Sequence, residues 1–131
     1  MSTPENPDCM KPGKIGWAEL ITSDPAAAIA YYTQLFGWTT EPFPMEQGGE
    51  YTMFKFNDQP FGGVMKSPHT DVPTHWLNYV IVEDVDVAIA RSTGLGGSVC
   101  LEPMAIPGVG RIAVVKDPQG AVIGLHEGPK Q

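Results

Sequence analysis

Cysteine is scarce in this chain, with Cys9 and Cys100 the only two among 131 residues. Neither belongs to a CxxC pair or a Cys/His cluster, which argues against a thiolate zinc site. Two unmatched thiols fit a reducing compartment, and the cytoplasm is the expected location. Basic residues are few as well: 8 Lys and Arg stand against 15 Asp and Glu, a net charge of −7. Nucleic acid and anionic membranes demand a basic surface, so neither is an expected partner. No apolar run approaches the ~18 residues of a membrane span. The opening stretch MSTPENPDCMKPGK has no apolar core of a signal peptide. What remains is 42% hydrophobic and 18% charged, the composition of an ordinary globular protein. Its length suits one domain, large enough to bury about 65–70% of its unfolded surface.

The chain contains an internal repeat. Asp24 to Gly37 (DPAAAIAYYTQLFG) aligns with Asp84 to Gly97 (DVDVAIARSTGLGG) at a constant offset of 60, without a gap, and 7 of 14 positions coincide. Asp24 suits a helix N-cap with Pro25 at the first helical position and Gly37 as the stop; Asp84 and Gly94 to Gly97 play the same parts in the second copy. Strand-like runs flank each helix: Ile15–Thr22 before the first, then Trp38–Phe43, Tyr51–Phe56 and Phe61–Met65 after it. Around the second helix lie Trp76–Val82, then Ser98–Leu101, Arg111–Lys116 and Ala121–His126. The order is β-α-β-β-β, twice, an α+β fold class. Residues 1–13 read as a polar N-terminal tail and 14–128 as one domain, with modules at 14–66 and 75–128 and a linker at 67–74. One helix covers one face of a four-stranded sheet, so two modules are expected to join their open faces into a curved mixed sheet around a concave cavity.

Strand alternation sorts side chains between helix and cavity. Ala18 and Leu20 suit the helix side, which turns Trp17, Glu19 and Ile21 inward; the offset of 60 makes Leu77, Tyr79 and Ile81 their equivalents. Phe54 and Phe56 read as core, leaving Tyr51, Met53 and Lys55 inward. Trp38 and Phe36 also read as core. Ile112 and Val114 are assigned to the helix side, leaving Arg111, Ala113 and Val115 inward. Ile123 and Leu125 are assigned to the helix, leaving Val122, Gly124 and His126 inward. Glu127 then faces away from His126. His69, Asp71 and the tail read as solvated loop.

The phrases DPAAAIAYYTQLFGW, QPFGGVM, HWLNYVIVEDVDVAIA and PGVGRIAVVKDPQGAVIGLHE resemble the vicinal oxygen chelate superfamily, over about residues 13–128. Within it the chain is similar to glyoxalase/bleomycin-resistance/dioxygenase-like proteins, the branch related to lactoylglutathione lyase. The resemblance implies the glyoxalase/bleomycin resistance/dihydroxybiphenyl dioxygenase fold and a homodimer. In metal-using members of that superfamily, four His, Gln or Glu ligands on the first and last strands of the two modules hold a divalent ion that acts as a Lewis acid. The matching positions here are Trp17, Leu77, Gly124 and the stretch Gly62-Gly63. None is a metal-binding side chain, so no metal ligand and no cofactor is expected, and an atypical divalent site built on Glu19 and His126 is disfavoured.

Several residues keep two readings. Glu19 beside Trp17 is a candidate general base, because desolvation favours the protonated carboxyl; alternatively it pairs with Arg111 or a backbone donor. Arg111 binds a ligand carboxylate in a bidentate manner, or anchors the loop Pro103–Gly110. His126 is a candidate acid/base partner, or a surface or satisfied residue near the C-terminus. Trp17, Met53, Leu77, Tyr79, Arg111 and Gly124 are the candidate ligand contacts. The expected partner is a small organic molecule. Two functions follow: a glyoxalase-like binding protein without the usual metal quartet, or a lyase, isomerase, hydroxylase or dioxygenase-like enzyme using Glu19 or an atypical metal. A structural protein with no ligand is a third. Fold alone does not choose among them.

Overall fold

Helix ends are where the chain declares itself most clearly. The computed structural model describes residues 11–43, 51–67 and 71–129. Cys9, His69, residues 1–10 of the tail and residues 68–70 of the linker lie outside them. Asp24 Oδ1 accepts the Ala27 N–H at 3.1 Å, Pro25 opens α1 (Pro25–Phe36), and Gly37 closes it at φ 76°. That left-handed backbone costs a glycine little and lets the Gly37 N–H reach the Thr33 carbonyl at 2.9 Å. Asp84 caps α2 (Val85–Gly94) by accepting from the Asp86 and Val87 N–H groups. The other elements are β1 (Ile15–Thr22), β2 (Thr39–Phe43), β3 (Tyr51–Phe56), β4 (Gln59–Lys66), β5 (His75–Ile81), β6 (Ser98–Ile106), β7 (Gly110–Lys116) and β8 (Val122–Glu127). This is the expected βαβββ order, twice, in an α+β fold. Among the described residues no helix is long and apolar enough to cross a membrane.

The chain separates into two compact units, Trp17–Leu77 and Met1–Gly16 with Asn78–Gln131. The division falls inside β1 and β5 rather than in the linker. In the first unit the strand order is β2-β3-β4-β1. β1 runs parallel to β4, and β3 is antiparallel to both its neighbours. Leu20, Phe54 and Val64 form the buried core, with Ala28, Ile29 and Tyr32 of α1 and the rings of Trp38 and Phe61 packed on it. Phe54 is wholly buried, so Phe54→Ala would cost about 3–5 kcal/mol. The β3–β4 connection is a two-residue loop in which Asn57 and Asp58 both have positive φ, 50° and 66°, as a type I′ hairpin requires. A bulge follows: Phe54 pairs with Gly62 but Lys55 with Pro60, so Phe61 is the extra residue and its ring turns to the helix side. The expectation that Phe56 is core is corrected: it is the last residue of β3, beside the hairpin turn, and is exposed. Phe36, expected in the core, is exposed too.

In the second unit the order is β5-β8-β7-β6, with β5 parallel to β8 and the remaining pairs antiparallel. Its core is Val85, Ala113, Val115 and Leu125, joined by Val82, Ala88, Ile89 and Ile123. Ala113 and Val115 therefore face the helix, and the inward placement of Arg111, Ala113 and Val115 is corrected. The reason lies in the ladder. Arg111 pairs with Glu127, Ala113 with Leu125 and Val115 with Ile123, and directly opposed residues share a face. Once Ile123 and Leu125 take the helix side, Arg111 must follow.

Candidate functional site

Three neighbouring strands of the first unit bring Glu19, Gly63 and Met53 into one row: Glu19 lies beside Gly63 in the β1–β4 register and Met53 beside Gly63 in the β3–β4 register. They occupy the face opposite Leu20, Phe54 and Val64. Trp17, two residues before Glu19, and Tyr51, two before Met53, share that face. The Trp17 Nε1–H donates to the Tyr51 hydroxyl oxygen at 2.9 Å, and the Tyr51 hydroxyl donates to Glu19 Oε1 at 3.1 Å. An indole N–H can only donate, so the direction of the chain is fixed and Tyr51 spends its single proton on the carboxylate. Gly63 makes this possible. A Cβ built there would overlap the Tyr51 hydroxyl and ring carbons, so the phenol lies directly over the glycine backbone.

Lys55 shares the Glu41 side of this sheet, hydrogen-bonding Glu41 at 2.9 Å and pairing with Asp58 at 3.1 Å. The hydrogen bonds to Glu41 and Asp58 raise its pKa above the ordinary 10.5. Trp17, Glu19 and Met53 thus stand together as the sequence suggested. Tyr51 was placed on this face but not among the candidate contacts. Its signal was a tyrosine two residues from Met53 together with a glycine pair at the middle of the neighbouring strand.

The second unit has a related arrangement. Tyr79 lies beside Gly124 in the β5–β8 register, and a Cβ on Gly124 would overlap the Tyr79 ring. His126 Nε2 sits 2.7 Å from the Val109 carbonyl; a carbonyl only accepts, so Nε2 carries the proton and anchors the loop before β7. Leu77 is buried at 5% exposure and belongs to the first unit. His75 Nδ1 bonds the Pro73 carbonyl at 2.7 Å.

Arg111 is a correction. Its guanidinium points to α2, where Nη2 donates to Asp86 Oδ2 at 2.8 Å and Nη1 lies 3.6 Å from Glu127 Oε1. The hydrogen bond to Asp86 raises its pKa above the ordinary range. Glu127, 3% exposed, also accepts the Val85 N–H at 2.9 Å, so the pair fastens the start of α2 to β7 and β8.

A resident divalent metal does not fit the residues present. Trp17 and Leu77 offer no ligating atom, and tyrosine rings fill the space where a side chain at Gly63 or Gly124 would begin. Among the described residues no three His, Cys, Asp or Glu side chains cluster as a metal site.

The family model for the Glyoxalase/Bleomycin resistance protein/Dioxygenase superfamily matches residues 14–125. The chain belongs to this superfamily. CFP32 of Mycobacterium bovis, named there as a candidate glyoxylase, is 40% identical to it over 120 residues, covering 91% of this chain and 46% of that protein. The anthracycline biosynthesis protein DnrV of Streptomyces peucetius is 32% identical over 128 residues, covering 87% and 46%. This superfamily member therefore spans just under half the length of those curated relatives. Among solved structures, Streptomyces coelicolor methylmalonyl-CoA epimerase in complex with 2-nitronate-propionyl-CoA superposes with a TM-score of 0.67 at 17% identity, over 92% of this chain and all of that one. At that identity the likeness is one of fold.

Proposed function

We propose that this glyoxalase-superfamily chain binds a small organic molecule without a resident metal, on the face of the first unit that carries Trp17, Glu19, Tyr51 and Met53. The hydrogen-bonded chain from Trp17 through Tyr51 to Glu19, laid over Gly63, is the observation that carries it. A carboxylate offers about four acceptor positions, which suits Glu19 to the hydroxyl and N–H groups of a ligand. The Trp17 indole and the Met53 thioether supply an apolar, polarizable surface for the body of such a ligand. An acidic chain whose Lys55 on this side is already paired with Glu41 and Asp58 favours a neutral or hydrogen-bond-donating ligand over an anion. Relatives named for glyoxylase and anthracycline biosynthesis roles point to small organic molecules as the class.

The adjacent phenol and carboxylate also suit proton transfer, which favours a second function: a lyase, isomerase or related enzyme with Glu19 as base. Glu19→Gln separates the two once a ligand has been found by thermal-shift screening of small hydroxylated and carbonyl compounds. A binding protein changes its affinity. An enzyme that depends on the base keeps its fold and loses about 10²–10⁴-fold in turnover. Failure of every such compound to raise the melting temperature, at concentrations where a ligand at 100 times Kd adds about 2.7 kcal/mol, would overturn the binding site itself. We further place the chain in the cytoplasm as a homodimer, with its exposed free thiol Cys100 in keeping with a reducing compartment.

A further inference from the structure

α1 and α2 occupy equivalent places in the repeat, yet their outer faces differ. α2 carries Asp86 in its first turn and Arg91 in its last. α1 carries no charged side chain at all along Pro25–Phe36, and none of its residues is fully buried. Where α1 has Tyr31, Tyr32 and Phe36, the offset of 60 gives Arg91, Ser92 and Gly96. Ala27, Ala30, Tyr31, Gln34 and Leu35 follow the i, i+3, i+4, i+7, i+8 spacing of a core-facing stripe, but every one of them is exposed. Tyr31 is 59% exposed, and Leu35 and Phe36 are each 54% exposed. The Trp76 ring extends the patch, with its Nε1–H on the Tyr32 oxygen at 3.2 Å.

The stripe is graded in size along its length. Its N-terminal half is alanine (Ala26, Ala27, Ala30) and its C-terminal half is bulky (Tyr31, Leu35, Phe36). Such a helix is complementary to its own reverse: turned end for end, the large half of one copy meets the small half of the other, as a two-fold interface requires. The absence of charge on α1 also spares two chains of net charge −7 from placing like charges in contact. Half-exposed aromatic and leucine side chains present about 500 Å² per copy, or about 1,000 Å² for two, where specific interfaces begin.

We infer that α1 is the dimerisation element, packed antiparallel against α1 of a second copy so that Tyr31 and Leu35 of one chain lie over Ala30 and Ala27 of the other. This rests on the homodimer proposed above and names the face that forms it. Sedimentation velocity of the full chain across about 1–100 µM, the range of ordinary specific affinities, tests both. The wild type should sediment as a dimer. Leu35→Glu, at an exposed site, should keep its circular dichroism and melting temperature while dimerising at least ~100-fold more weakly. Leu95→Glu, the change at the offset-60 position just past the end of α2, should leave the dimer intact. Adding Ala27→Lys to Leu35→Glu should recover at least about tenfold in affinity, because only an antiparallel pair brings the two charges together. A dimer that survives Leu35→Glu overturns the α1 face and leaves the homodimer standing. A wild type that stays monomeric overturns both, and a broken dimer without recovery overturns the antiparallel arrangement.

Discussion

Gly63→Ala should change the sign of its effect according to what residue 51 is. In the wild type the added methyl meets the Tyr51 hydroxyl and two ring carbons, so the ring must swing away. Overpacking of this kind costs about 1–3 kcal/mol. The displaced hydroxyl also gives up its bonds to Trp17 and Glu19, worth about 1 kcal/mol each. The expected loss is about 3–5 kcal/mol, or roughly 11–18 °C in melting temperature for a chain of this size. With Tyr51→Ala already present the three closest contacts of the methyl are gone. There, replacing a strand glycine by alanine should stabilise by about 0.5–1 kcal/mol. The difference is a coupling of more than about 2 kcal/mol. Urea unfolding of the four proteins, followed by tryptophan fluorescence, measures it directly. Equal effects of Gly63→Ala in both backgrounds would refute the account of Gly63 as the floor beneath Tyr51.

Glu127→Ala should destabilise by about 1–3 kcal/mol, since it strands the buried Val85 N–H; urea unfolding with an unchanged midpoint would dismiss its capping role. Asp117 accepts backbone N–H bonds from Ala121 and Gln119, which hold its pKa below the ordinary 3.8. Its contribution is therefore complete above that value and fades as pH falls through the folded-state pKa. The melting-temperature gap between wild type and Asp117→Ala should narrow as pH falls below 3.8, and a gap that stays constant or widens on acidification would contradict the sign. Untagged protein purified without chelator, then offered Zn²⁺, Ni²⁺, Mn²⁺ and Fe²⁺, should retain far less than one ion per chain by elemental analysis. About one tight ion per chain would overturn the account of the tyrosine-filled positions.

Local chemistry was the legible part of this fold. Asp24, Pro25 and Gly37 announce α1 by themselves, and the offset of 60 carries the same logic to Asp84 and α2. The phase of β1 was readable because Trp17 and Glu19 alternate with Ala18 and Leu20 in an obvious way. β7 was not, because Arg111, Ile112, Ala113 and Val114 offer no clean polar alternation. Its phase is set by pairing with β8, and small Ala113 sits where α2 presses close. Phe56 and Phe61 escape the period-two rule for two different reasons: Phe56 ends β3 at the hairpin turn, and Phe61 is the bulged residue of β4, of which a single sequence carries no mark. Tyr51 was seen as facing the right way, but its importance depends on Gly63, a partner on another strand whose only signal is a missing side chain.

The phenol over a bare backbone also constrains how such a chain can change over time. A carboxylate or imidazole cannot enter at position 63 while Tyr51 is in place, and removing Tyr51 first leaves Trp17 and Glu19 without the hydroxyl that joins them. Either single step passes through a weakened protein, so a lineage that crosses between a side-chain ligand and a tyrosine lid at this position would do so rarely, and in a set order: the aromatic ring leaves before the glycine is replaced, and returns only after it is restored.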